Sequence, residues 1–203
     1  MSKKTSTLPN MLLALTVIAV VAAAALACVY ALTKEPIEQE KQKTEQKAMN
    51  DVLPNFDSKK GKIEEVKVTC PDDKQEVTVY LAYNADSSLF GAAVKTYTDK
   101  AFSGTFTIMV GFDAEGTIIG TSVIEASETP GLGDKIKTEE FSGQFASKKI
   151  NPRSTDYGIS VKKDGGDVDA ITAATISSRA YCDAVNRAAE GYDLVLKKKG
   201  VIK

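Results

Sequence analysis

The chain reads as an α+β protein, with one N-terminal transmembrane helix followed by a single domain of largely antiparallel sheet and packed helices. Three observations predict this. Met11 to Leu32 forms an apolar run of about 22 residues without a charge. Between Ile63 and Ile124, five segments rich in β-branched and aromatic residues are separated by turn-forming residues. Near the C-terminus, apolar residues recur at helical spacing from Tyr181 to Tyr192. A length of 203 residues leaves room for one ordinary domain of about 100 to 150 residues beside such an anchor.

The first element is the run MLLALTVIAVVAAAALACVYAL. At about 1.5 Å per residue it crosses a hydrocarbon core of about 30 Å. Pro9 stands before it, where a missing N–H matters little, and Thr33, Lys34, Glu35 and Pro36 are expected to stop it. A rival reading is a cleaved leader, with Ala25-Leu26-Ala27 as a small-x-small site and Cys28 as a lipoprotein cysteine. The apolar run is longer than a usual leader core of about 7 to 15 residues and continues past that site, which favours an uncleaved anchor. Lys3 and Lys4 before the span imply a cytoplasmic N-terminus and an extracytoplasmic domain, placing the protein in the plasma (inner) membrane as a single-pass chain in contact with lipid.

The segment EPIEQEKQKTEQKAMNDV, Glu35 to Val52, is dense in good helix formers with opposite charges three or four apart, and predicts a solvated helical stalk ended by Pro54 and Asn55. Strands are expected at Ile63–Val68, Val77–Ala82, Leu89–Thr96, Gly104–Phe112 and Thr117–Ile124, with Asp113-Ala114-Glu115-Gly116 turning the last two into a hairpin. Lys135–Phe145 reads as weakly helical, Ile159–Val161 as a short strand, Asp164-Gly165-Gly166 as a turn and Thr175–Leu196 as a final helix. In that helix Tyr181, Ala184, Val185, Ala188 and Tyr192 form an apolar stripe that can lie on the sheet. The resulting division is 1–10 cytoplasmic, 11–32 transmembrane, 33–54 stalk and 55–203 folded domain.

Composition excludes several chemistries. With no histidine, the chain alone cannot build a Ser-His-Asp triad, a His-ligated zinc or haem site, or a histidyl-linked flavin. Three cysteines, Cys28, Cys70 and Cys182, are too few for a four-thiolate cluster, and whether Cys70 and Cys182 pair is left open. A net charge of -1 gives no basic field for nucleic acid.

The chemistry-bearing stretch is Asp169-Ala170-Ile171-Thr172-Ala173-Ala174-Thr175-Ile176-Ser177-Ser178, small and hydroxyl residues where the chain enters the last helix. Unpaired N–H groups at a helix start hold a phosphoryl group well, and small side chains let it approach. The same residues also suit a plain helix cap, and Glu128-Thr129-Pro130-Gly131-Leu132-Gly133 taken alone is a turn. On those terms an anchored scaffold without redox function stays open.

Taken together, the two stretches resemble the FMN-binding domain shared by the G subunit of the Rnf electron-transport complex and the C subunit of the sodium-pumping NADH:quinone reductase. That family carries an Asp-x-x-Ser/Thr-Gly-Ala-Thr motif whose last threonine is esterified to the FMN phosphate by a separate flavin transferase. Asp169, Thr172, Ala174 and Thr175 match it, and Ala173 stands where glycine is usual. The second stretch resembles the family's Glu-Thr-Pro-Gly-Leu-Gly loop beside the isoalloxazine ring. The resemblance therefore implies covalent FMN on Thr175, with Asp169, Thr172, Ala173, Ala174 and Ser177 around the phosphate. It places Glu128, Thr129, Gly131, Leu132, Gly133 and Lys135 around the ring. The implied function is a one-electron relay without substrate turnover of its own, exchanging electrons between ferredoxin and NAD with Na⁺ or H⁺ translocation. The implied partners are the other subunits of a membrane complex, and the chain length fits the G subunit better than the longer C subunit. A free-standing flavinylated carrier or a sodium-pump C subunit remain alternatives.

Overall fold

The structure, a computed structural model, describes residues 7–57, 60–71, 74–149 and 158–200. The chain divides into two units, one ending at Thr44 and the other beginning at Glu45.

The first unit is the greater part of a long helix, α1 (Leu8–Val52). Its apolar side chains between Met11 and Leu32 are exposed, and the helix is long and apolar enough to cross a membrane. Lys3 and Lys4, on which the expected orientation rests, lie outside the described residues. The expected stop at Thr33 to Pro36 is not there, since α1 runs through Pro36. Proline deletes a single intrahelical N–H bond, and the surrounding Glu, Lys and Gln residues propagate the helix on both sides. Thr33 bonds back into the same helix, its hydroxyl donating to the Val29 carbonyl at 2.9 Å.

The second unit is built on β1 (Lys62–Thr69), β2 (Glu76–Tyr83), β3 (Leu89–Thr98), β4 (Phe106–Asp113) and β5 (Ile118–Glu125). They pair in sequence order and every pair is antiparallel, so the sheet is a meander of hairpins. The β4–β5 turn is fixed by Asp113, whose carboxylate accepts the N–H groups of Glu115 (3.0 Å) and Thr117 (2.7 Å). The weakly helical stretch resolves into three short pieces, the 3₁₀ turns Gly133–Lys137 and Gly143–Phe145 flanking α2 (Glu139–Ser142). No strand forms at Ile159–Val161: Val161 makes only an isolated parallel bridge to Val168. Beyond it Gly165, at φ +90°, completes the expected turn.

Helix α3 (Thr175–Lys198) covers one sheet face. Its expected stripe, Tyr181, Ala184, Val185, Ala188 and Tyr192, is fully buried. The Tyr192 ring stacks on Phe112 at 5.0 Å and its hydroxyl donates to the Asp113 carbonyl at 2.8 Å. Cys70 and Cys182 are both buried, and burial, aided by the charge of Asp167, pushes the Cys182 thiol up to about 12. That thiol stays protonated and unreactive.

The opposite face carries a smaller cluster in which Ala48, Val52 and Leu53 pack on Ala82, Ala93 and Met109. The last turns of α1 are therefore core, where composition predicted a solvated stalk. Gly111 permits the approach, because a Cβ there would lie 2.2 Å from the Val52 carbonyl oxygen. Glu45 fastens the start of this segment, its carboxylate accepting hydrogen bonds from the Tyr80 hydroxyl (2.6 Å) and Lys95 Nζ (2.6 Å).

Candidate functional site

Helix α3 begins at Thr175 without a side-chain cap, since Ala174 in the cap position has no oxygen to supply one. The first-turn N–H groups, which have no intrahelical acceptor, are left for an external anion. The preceding turn is held by Ser178, whose buried hydroxyl accepts the Ile171 N–H and donates to the Ala174 carbonyl, both at 3.0 Å. Ala173 sits at φ +63°, a left-handed conformation that disfavours an L side chain by roughly 1–2 kcal/mol. Ala173→Gly is accordingly expected to raise the unfolding free energy by up to about 1 kcal/mol, the relief exceeding the entropy lost by glycine. Ala→Gly at an ordinary position has the opposite sign, so a fall in the urea midpoint at constant slope would contradict this geometry.

The turn faces the loop after β5 across a cavity of about 320 Å³. From the loop come Glu128, Thr129, Leu132 and Gly133, and from the helix start Ala173, Ala174, Thr175 and Ser177. Two further residues line it that sequence reading did not single out, Phe102 from the β3–β4 loop and Ile176. The signals for both are faint. Phe102 is an aromatic residue inside a Gly/Ser loop, and Ile176 lies off the apolar stripe of α3.

Glu128 is 8% exposed, and one of its oxygens accepts the Phe102 N–H at 3.2 Å. Its other oxygen and the Ser177 hydroxyl lie 2.4 and 2.9 Å from where a Gly133 Cβ would stand. Of the hydroxyls near the helix start, Ser178 is buried and already bonded, Ser177 is 1% exposed and Thr172 is exposed outside the cavity wall. Thr175 is half-buried and on the wall.

Four of the expected site residues stand apart from the cavity lining. Asp169 pairs with Lys162 at 2.7 Å and exchanges backbone hydrogen bonds with the Gln144 amide, at 2.7 and 3.2 Å. Gly131 forms the loop's turn at φ +75°, Lys135 is exposed in the 3₁₀ turn, and Thr172 is exposed in the 171–174 turn. The arrangement suits a phosphoryl group at the helix start with a flat, largely apolar group extending over the cavity, whose size falls at the lower end of ligand pockets.

Comparison with known proteins places the domain in a class: the FMN-binding domain model matches residues 101–190, and a second model, for the RnfG N-terminal region, matches residues 13–52. The chain belongs to the family of G subunits of the ion-translocating oxidoreductase complex. It is 33% identical to the G subunit of Aliivibrio fischeri strain MJ11 over 189 residues, covering 90% of this chain and 89% of the relative. It is 44% identical to the G subunit of Escherichia coli K12 over 124 residues, 60% of this chain and 59% of that protein's length. Among solved structures it resembles the C subunit of the Na⁺-translocating NADH-quinone reductase of Parabacteroides distasonis, with a TM-score of 0.55, 21% identity and 76% and 90% of the two chains covered. It also resembles NqrC of Shewanella oneidensis, with a TM-score of 0.51, 22% identity and 67% and 69% covered. At those identities the two structures establish the α+β fold.

Proposed function

We propose that this chain is the flavin-bearing electron-transfer component of a membrane-bound, ion-translocating oxidoreductase complex, with FMN joined through its phosphate to Thr175 Oγ. The observation that carries the reading is that two motifs separated by some forty residues of sequence converge on one cavity, with Thr175 as the accessible helix-start hydroxyl on its wall. When bound, the flavin supplies one-electron redox chemistry.

The chain's own residues do the rest. The uncapped start of α3 stabilises the phosphate charge, Ala173 and Ala174 leave room for it, and Ser178 keeps the turn in place. Leu132, Ile176 and Phe102 supply apolar walls, while Thr129 and loop N–H groups can hydrogen-bond a polar ring edge. Asp169, Thr172, Gly131 and Lys135, set back from the wall, belong to the flanking turns, and a separate flavin transferase would make the ester. The partners are the other subunits of the complex and membrane lipid around Met11 to Leu32. The coupled process is ferredoxin/NAD electron exchange with Na⁺ or H⁺ movement.

Intact-mass analysis of the chain purified from its native membrane tests this. The expected mass exceeds the polypeptide by one FMN less one water, the balance of forming an ester from a hydroxyl and a phosphate. An unmodified mass would sink the reading. The domain is further expected outside the cytoplasm, so that protease added to intact spheroplasts digests it. Protection there, with digestion only in inverted vesicles, would reverse the orientation.

A further inference from the structure

Beyond α1, the exposed large apolar residues of the described chain are Ile63, Tyr97, Phe102, Leu132 and Ile176, and three of these five rim a single cavity. Phe102 is the most exposed of them at 68%, against 42% for Leu132 and 49% for Ile176. Large apolar side chains left in water around a concave site mark a surface completed by something apolar. The loop that bears Phe102 is not free to hang away. Its backbone N–H at residue 102 is bonded to the buried Glu128 carboxylate, which the Gly133 backbone and Ser177 crowd from the other side.

We infer that Phe102 is the outer wall for the isoalloxazine face and that Glu128 is the positioning residue that holds it there. This rests on the flavin reading above. A phenyl face against an extended ring system contributes stacking of about 0.5–1.5 kcal/mol beyond burial. It also excludes water from one side of the ring, which in a low-dielectric site changes the relative stability of charged and neutral redox forms. Glu128 acts through the loop backbone. Its carboxylate accepts the Phe102 N–H at 3.2 Å, and a glutamine oxygen can accept the same bond. Neither residue is required for the ester at Thr175, so both can be altered without removing the probe.

The probe is the covalently attached flavin of the full-length chain in detergent, with attachment checked by intact mass before any spectroscopy. Phenylalanine is a poor electron donor, whereas a tyrosine ring in contact with an excited flavin gives up an electron and takes it back, shortening the fluorescence lifetime. Phe102→Tyr is therefore expected to shorten the main lifetime several-fold. Phe56→Tyr, on the other sheet face beside Phe90, is expected to leave it unchanged. Adding Glu128→Ala to Phe102→Tyr is expected to restore the long lifetime by releasing the loop, and adding Glu128→Gln is not. An unchanged lifetime in Phe102→Tyr, or an equal change in Phe56→Tyr, overturns the placement of Phe102. Persistent quenching in the Glu128→Ala double variant overturns the role of Glu128. A chain whose intact mass shows no flavin overturns the flavin reading and this inference together, whereas a flavinylated chain with an unmoved lifetime overturns the inference alone.

Discussion

Thr175→Ala is expected to give a folded, membrane-anchored chain from which covalent flavin is absent, seen as complete loss of in-gel flavin fluorescence after denaturation. Alanine removes the one hydroxyl near the helix start that is both accessible and on the cavity wall. It also leaves the helix start intact. Thr175 is the first residue of α3 and not its cap, so no capping bond is lost, and alanine is the better helix former by a few tenths of a kcal/mol. A domain stable by about 5 to 15 kcal/mol absorbs a change of that size, so loss of flavin is not a by-product of unfolding. Thr172→Ala is the control, with retention of flavin expected because Thr172 lies off the wall. Covalent flavin surviving in Thr175→Ala would defeat the assignment and send peptide mapping to Thr172 and Ser177.

How far this site was legible in the sequence depends on which physical rule was local. The β-strands were legible because alternation and turn chemistry act over a few residues. Asp113 to Gly116 could be read as a hairpin turn, and its carboxylate bonds are those that such a turn requires. The start of α3 and its stripe were legible for the same reason, since helical spacing is a property of neighbouring turns. Pro36 misled because its rule is local while the persistence of α1 is cooperative over many residues. The burial of Ala48, Val52 and Leu53 was hidden by a Glu- and Lys-rich composition, and only contact with Gly111 and Met109 makes them core. The two motifs were visible singly, but their meeting at one cavity is tertiary. So is the presence of Phe102, brought there by a hydrogen bond spanning 26 residues of sequence.

Gly133→Ala is expected to leave flavin attached to Thr175 while expelling the ring from its cavity. The added Cβ would stand 2.4 Å from a Glu128 carboxylate oxygen and 2.9 Å from the Ser177 hydroxyl. A flexible side-chain end usually swings clear of such a clash, but Glu128 is 8% exposed and its second oxygen is committed to the Phe102 N–H. Relief must come from moving the loop, Phe102 or the first turn of α3, all of which are cavity walls. Overpacking of this kind costs about 1–3 kcal/mol, a loss that a domain stable by about 5 to 15 kcal/mol survives. The ester lies at the helix start, so attachment persists while seating does not. The measurement is iodide quenching and fluorescence anisotropy of the attached flavin, with a several-fold rise in the quenching constant and a fall in anisotropy expected. If Gly133→Ala alone leaves iodide access and anisotropy at the values of the unaltered chain, the cavity between Gly133, Glu128 and Ser177 is not where the ring sits.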